Sequence, residues 1–308
     1  MIFPVSGISV SPFIPPLVAF VVSFAASLGG ISGAFLLLPF QMSVLHFTSL
    51  SVTSTNLFFN LLATPGAISR YMKEGRMVWP LAWILIAGTL PGIFIGAMLR
   101  ITYLPDPRRF KLFVGLFLLY LGLRLLINRR DHPDNSAGLI TSAEERWENR
   151  FDSPSSTPVK ITAISLARVV YEFHGESYSF RCLPVIGTSF LIGIVGGAYG
   201  IGGGSIVAPL LVTTFSLPVY TIAGPTLMST FTASLAGVIF YCWLGSVYPD
   251  YPSLRPDWLL GGLFGIGGLA GAYWGARVQK HIPVRAIKAL LGAISLFVAS
   301  RYIINYFR

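Results

Sequence analysis

Long apolar stretches alternate with short polar ones, giving eight apolar segments at roughly residues 16–47, 51–69, 78–99, 110–127, 184–217, 221–244, 258–278 and 286–304. A bilayer span needs about 20 such residues. Six segments fit one straight helix each. The first and fifth exceed thirty residues, too long for one straight span and too short for two. Both contain glycine-rich interruptions. In the fifth, "GGAYGIGGGSIVAPLL" from Gly196 to Leu211 puts six glycines in nine residues before the apolar run resumes through Pro209. In the first, "LGGISGAFLLLPF" from Leu28 to Phe40 is a shorter break. A lipid-facing helix gains nothing from such a break, because an unpaired amide in hydrocarbon costs on the order of several kcal/mol. The breaks are expected to be buried and to serve a site.

The pattern of the first half recurs in the second. Pro39 falls on Pro209 and Gly75 on Gly245 at an offset of 170, which also sets Gly33 on Gly203, Asn56 on Thr226, Leu57 on Leu227 and Tyr71 on Tyr241. Gly88, Gly92 and Gly96 match Gly267, Gly271 and Gly275 at 179. Further on, Pro105, Arg108, Lys111, Gly115 and Arg124 match Pro283, Arg285, Lys288, Gly292 and Arg301. The expectation is an all-α polytopic membrane protein of two homologous four-segment halves, each opened by a Gly-broken helix. The boundaries are 1–128 for the first repeat, 129–181 for a polar insert and 182–308 for the second repeat.

Composition supports the membrane reading. Charged residues make up 11% of the chain, against roughly 25% in a soluble domain. Asp, Glu, Lys and Arg are absent from Met1 to Ser69 and from Cys182 to Pro249. The net charge of +10 does not point to nucleic acid, because the Lys and Arg residues sit at the ends of apolar segments, as topology determinants and lipid anchors do. No basic region precedes the first apolar run, so a cleaved signal peptide is not expected. Cys182 and Cys242 have no metal-like spacing, and neither metal nor cofactor is expected. In the insert, "NRRDHPDNSAGLITSAEERWENRFDSPSSTP" reads as linker, and "VKITAISLARVVYEFHGESYSFR" as a small β-hairpin turning at His174-Gly175-Glu176.

Internal repeats with interrupted helices at matching positions are what secondary transporters look like in sequence. Each break starts a new helix whose first amides lack intrahelical partners and carry roughly half a positive charge, a natural seat for an anion. Gly88, Gly92, Gly96 and their partners are spaced by four and read as helix-packing positions. Packing alone does not explain Gly196–Gly204, since one face needs only every fourth residue to be small.

The residues "GGAYGIGGGSIVAPLL" followed by "YTIAGPTLMSTFTASLAG", with the first-half copy "GGISGAFLLLPF" and "SVTSTNLFFNLLATPGA", resemble the TauE/SafE sulfite exporter family, within the toluenesulfonate uptake permease group. The resemblance covers both membrane halves. It implies transport of sulfite, a related sulfur oxyanion or an organosulfonate across the bacterial inner membrane. This sequence departs from the family pattern in its shortened first break and its long central insert.

Such substrates accept hydrogen bonds from amides, hydroxyls and carboxamides. The candidate binding residues are Gly30, Ser32, Gly33 and Gln41 in the first break region, and Tyr199, Gly202, Gly203, Gly204 and Ser205 in the second. Asn56 and Asn60 lie on one helix face, as do Thr226 and Thr230 at the matching positions. A Ser or Thr in a membrane helix also has the plain option of bonding its own backbone. The expected partners are a small sulfur-containing anion and the bilayer, without nucleic acid; a homodimer is compatible with this reading.

The same residues raise three alternatives. Gly30-Ile31-Ser32-Gly33 matches the G-x-S-G of intramembrane serine proteases, but that serine needs a histidine base. His132, His174 and His281 lie in polar loops, and His46 ends the serine's own segment. "GIGGG" lacks the lysine of a nucleotide loop. A passive anion channel is the other reading of a duplicated pore with glycine breaks. No Asp or Glu lies inside an apolar segment, so no intramembrane proton carrier is evident, and a uniport driven by membrane potential would suffice for anion export. The charges of loop 70–77 and of its counterpart 246–257 have opposite sign, which favours inverted repeats; loops 100–111 and 277–288 are both basic and point the other way.

Overall fold

Helices end at Gly75 after a basic turn and at Gly200, whereas Pro39, Pro65, Pro91 and Pro225 lie inside helices. The computed structural model describes residues 1–28, 31–127, 158–173, 175–215, 217–248, 254–278 and 284–307. Five helices precede the insert: α1 (Ile14–Leu28), α2 (Ala34–Ser43), α3 (Ser51–Lys73), α4 (Trp79–Thr102) and α5 (Pro107–Ile127). Five follow it: α6 (Cys182–Tyr199), α7 (Gly204–Phe215), α8 (Val219–Val247), α9 (Trp258–Val278) and α10 (Val284–Phe307). The first and fifth apolar segments are thus each two helices among the described residues.

The helices α4, α6 and α9, with Tyr220–Val247 of α8, are long and apolar enough to cross a bilayer. The 23-residue α3 is long enough but too polar to face lipid. Its Ser51, Thr53, Ser54, Thr55, Asn56, Asn60 and Thr64 are all buried, so its neighbours shield it from the bilayer. The outer surface is correspondingly apolar, with Leu17, Trp83, Leu191, Ile239, Ile266 and Phe297 exposed.

Small residues set the closest contacts. A Cβ at Gly88, Gly92 or Gly96 of α4 would run into the carbonyls of Ile186, Phe190 and Ile194 on α6. At Gly267, Gly271 and Gly275 of α9 it would meet those of Pro16, Phe20 and Phe24 on α1. The order of these pairs makes α4 parallel to α6 and α9 parallel to α1. The helix α3 runs parallel to α9, with Leu62 at Gly265 and Gly66 at Leu269. Parallel packing also joins α4 to α8, where Thr89 meets Ser229 and Phe94 stacks edge-on against Phe240. By contrast α3 and α8 are antiparallel, with Leu57 at Gly237 and Tyr71 at Gly224. So are α5 and α10, with Gly115 at Tyr302 and Leu126 at Gly292.

The insert contains more than the expected hairpin. Lys160–Ile164, Arg168–Phe173 and Glu176–Arg181 form a three-stranded antiparallel sheet in the order β1-β2-β3. The expected turn is there, between β2 and β3, although His174 lies outside the described residues, as does the linker 128–157. In β2, Val169, Tyr171 and Phe173 alternate inward. The Tyr171 hydroxyl lies 2.9 Å from Thr221 Oγ1 at the start of α8, and Val159 N–H donates to Gly75 O at 3.0 Å. The sheet is therefore docked on the helix ends around loop 74–78. On the opposite face Asp257 caps α9 through Leu260 N–H at 3.1 Å and accepts from the Ser6 N–H and hydroxyl at 3.0 and 2.8 Å.

Candidate functional site

The two interruptions meet in the interior. After α6 the chain passes through Gly200, Gly202 and Gly203 with φ of 85°, 70° and 81°, a left-handed path that only glycine takes without strain, and enters α7. Gly200 is crowded as well: a Cβ there would lie 2.7 Å from Thr53 O. The first break differs. Gly33 is helical, with φ −61°, and its glycine requirement comes from space, since a Cβ would sit 2.5 Å from Ser23 Oγ. Gly30 lies outside the described residues, as does the side chain of Ser205.

Two side chains tie the breaks together. Asn56 Nδ2 on α3 donates to Ala34 O at 3.1 Å and to Gly200 O at 3.0 Å, one carbonyl from each break. Tyr199 OH at the end of α6 donates to Phe35 O at 3.1 Å. The start of α2, a positive helix end, is thereby fastened to the end of α6, and α7 begins four residues beyond Gly200. Beside the first break Ser32 Oγ donates to Asn60 Oδ1 and caps the N–H of Ala34 at 3.3 Å. Ser32, Asn56, Asn60 and Tyr199 are all buried.

Several polar atoms here have no partner among the described residues. Asn60 Nδ2 and Asn56 Oδ1 are buried and unpaired. The N–H groups of Gly202 and Gly203 have no acceptor among the described residues. Buried donors are nearly always paired, and an unpaired one costs about 1–3 kcal/mol. Thr226 and Thr230 behave differently. Thr226 Oγ1 donates to Ile222 O at 2.9 Å and Thr230 Oγ1 to Thr226 O at 3.0 Å, so both hydroxyl protons are used on the backbone of α8. Gly204 lies tightly against them, with a Cβ there meeting Thr226 O and Thr230 Oγ1. Gln41 sits two turns along α2 from the break, and its buried carboxamide has no partner among the described residues.

Sequence reasoning did not single out Thr53 or Arg100. Arg100, at the last turn of α4, is fully buried with its guanidinium 3.7 Å from the Phe110 ring. Its Nε donates to Thr53 Oγ1 at 3.2 Å and its Nη1 to Leu104 O. Thr53 in turn lies against Gly200, so a fixed cation stands one residue behind the second break. The sequence shows this arginine only as one charge in a basic loop, and nothing local marks its burial.

The sequence model of the family described as Sulfite exporter TauE/SafE matches residues 16–302, nearly the whole chain. The chain belongs to the TauE/SafE sulfite exporter family. It is similar to the Probable membrane transporter protein YunE of Bacillus subtilis (strain 168), at 22% identity over 90% of this chain and 92% of that one. It is also similar to a Probable membrane transporter protein of Xylella fastidiosa (strain 9a5c), at 24% identity over 91% of this chain and 92% of that one. A shorter match joins it to Sulfite exporter TauE/SafE family protein 6 of Arabidopsis thaliana, 41% identical over 20% of this chain and 14% of that one. No solved structure matches. Sulfite export is the function of the family, and a multi-pass membrane transporter accords with the four long apolar helices.

Proposed function

We propose that this TauE/SafE protein is a secondary transporter of the bacterial inner membrane that exports sulfite, a related sulfur oxyanion or an organosulfonate. The anion is held where the two breaks meet, by Asn60 Nδ2 and the amides of Gly202 and Gly203. The observation that carries this reading is the buried, unpaired Asn60 Nδ2, one turn along α3 from the Asn56 that joins the two breaks. An oxyanion supplies the missing acceptors, and its charge is favoured by both helix ends. No Lys or Arg lies in either break, so binding is held by neutral donors and release stays within reach.

The same proposal divides the chain into inverted repeats, 1–128 and 182–308, around the insert. Contacts recurring at the sequence offsets support it. Gly33 lies beside Ser23 and Gly203 beside Gly193, Asn60 beside Ser32 and Thr230 beside Gly202, Phe59 beside Gly268 and Ser229 beside Thr89. Equivalent helices running antiparallel, α3 to α8 and α5 to α10, support halves that are upside down relative to each other. Cysteines in place of Met72 and Ser246, at the ends of α3 and α8, will then be labelled by an impermeant reagent from opposite sides of the membrane. Labelling of both from one side rejects inversion.

The site is tested by Asn60→Asp, which keeps an acceptor for Ser32 and replaces the orphan donor with a negative charge. Folded Asn60→Asp protein will bind sulfite at least about 100-fold more weakly, a loss of about 2.7 kcal/mol or more. Unchanged affinity removes Asn60 from the site. Flux in liposomes that saturates and shows counterflow marks a carrier; conductance far above carrier turnover marks a channel. A parallel screen over sulfite, sulfate, thiosulfate, sulfoacetate and taurine ranks the substrates.

A further inference from the structure

The helix α2 leads away from the meeting of the breaks, and its far end walls a cavity of about 790 Å³. The start of α5 and the end of α10 form the other sides. Arg108, Lys111 and Arg301 line this cavity together with His46, and no Asp or Glu lines it. Among the described residues the only ion pairs are Arg70 and Arg76 with Glu74, so none of the three cations is neutralised by a carboxylate there. Leu36, Phe40 and Phe297 add apolar surface to the lining. The Tyr302 hydroxyl accepts from Ser43 Oγ at 2.8 Å and donates to Pro39 O at 3.1 Å, which fastens α10 to α2 along this wall.

Three cations in one concavity repel each other unless an anion joins them, and low-dielectric walls focus their field. The lining is amphiphilic, with three cations beside aromatic and aliphatic side chains, Phe297 one turn before Arg301 on α10. The chain also repeats this set in sequence. Arg285 and Lys288 fall in the first turns of α10 and Arg124 in the last turn of α5, all three displaced by 177 from Arg108, Lys111 and, in the reverse sense, Arg301. Basic positions that recur with a single sequence offset at the opposite ends of the same antiparallel helix pair fit a device needed on both membrane faces.

We infer that this cavity is a second, peripheral anion site. It takes an oxyanion head on Arg108, Lys111 and Arg301, with a small apolar body against Phe40 and Phe297, as an organosulfonate presents. It collects the ligand before or after passage through the central site, about 15 Å away along the ten residues of α2. The inference rests on the transport reading for what the site serves, but not for its chemistry. The same chemistry would suit the phosphate of an anionic lipid, and the test separates the two.

Val44, at the end of α2, lines the cavity and is 60% exposed, which makes it the reporter position. In a chain whose two native cysteines are serine, Val44→Cys is reacted with an anionic sulfonate thiosulfonate reagent and with its cationic ammonium analogue, in neutral detergent at low salt. The anionic reagent will react faster, and Arg108→Gln/Lys111→Gln/Arg301→Gln will lower that preference by about tenfold or more. Lys111→Gln alone will lower it in the same direction, and thermal unfolding checks that each variant is folded. Millimolar benzenesulfonate will slow the reaction of the parent and not of the triple variant.

Equal preference in parent and triple variant overturns the proposal. If benzenesulfonate gives no protection while phosphatidylglycerol added to phosphatidylcholine vesicles does, the site belongs to a lipid head group and the ligand assignment falls. Sulfite flux measured on the same protein reports separately. Absent flux with intact benzenesulfonate protection fails the transport reading alone, and flux without protection fails the peripheral site alone.

Discussion

Asn56→Leu will both destabilise the protein and abolish anion flux, with the larger part of the damage in the fold. The asparagine donates through one nitrogen to Ala34 O and Gly200 O, and no other side chain among the described residues bonds both breaks. Removing it leaves two buried carbonyls without these donors, at a cost of about 1–3 kcal/mol each. The orphaned Asn56 Oδ1 disappears at the same time, which returns part of that cost. The net expectation is a loss of about 2–4 kcal/mol, enough to lower the unfolding temperature by several degrees. Thr226→Ala provides the contrast. Its hydroxyl bonds only carbonyls of its own helix, so the change will cost less than about 1 kcal/mol and leave affinity for sulfite near wild type. Thermal unfolding and liposome flux of the two variants decide the matter. An Asn56→Leu protein that unfolds and transports like wild type shows that the two breaks are held in place by something else.

The membrane helices were legible because charge is excluded from long segments, and the breaks because glycine clusters have no use on a lipid-facing helix. Asn56 and Asn60 stood out for a physical reason: a carboxamide in an apolar segment must find partners or a ligand. Hydroxyls gave no such signal. Thr226 and Thr230 match the two asparagines in position, yet a hydroxyl can be satisfied by the preceding turn of its own helix, and a carboxamide cannot be so fully satisfied there. The third strand of the insert was missed because Lys160–Ile164 pairs at the sheet edge with all five residues exposed, leaving no alternation of burial to read. Arg100 was missed for a similar reason. Its burial depends on Thr53, Leu104 and the Phe110 ring arriving from three parts of the chain. The difference between the two breaks was also hidden: both contain glycine, but only the second uses it for left-handed backbone.

That difference separates the glycines into two experimental classes. A side chain at Gly202 faces both left-handed backbone, φ 70°, and a crowded site, with its Cβ 2.6 Å from Ser234 Oγ and 2.9 Å from Thr230 O. Strain of about 1–2 kcal/mol and a steric clash then add, so Gly202→Val will cost the fold more than the ligand. Gly203 has the same backbone demand, φ 81°, but its Cβ would first meet Thr89 Cγ2 at 3.3 Å, a contact that a few tenths of an ångström relieves. Gly203→Ala will therefore remain folded, at a loss of about 1–2 kcal/mol. Its N–H is one of the two unpaired amides of the second break, and relief of strain turns that amide away from its present direction. Sulfite affinity will fall by about tenfold or more, because the ligand loses a donor and meets a methyl group in its place. The first break behaves differently. Gly33→Ala needs no left-handed backbone but strikes Ser23 at Oγ, 2.5 Å, and at Cα, 2.9 Å, so Ser23→Gly, the residue type that the second half carries at Gly193, will restore folding only in part. Calorimetric titration of sulfite into each folded variant, with thermal unfolding alongside, distinguishes these effects. Folded Gly203→Ala protein with wild-type affinity returns the second break to a packing role and ends the amide cradle.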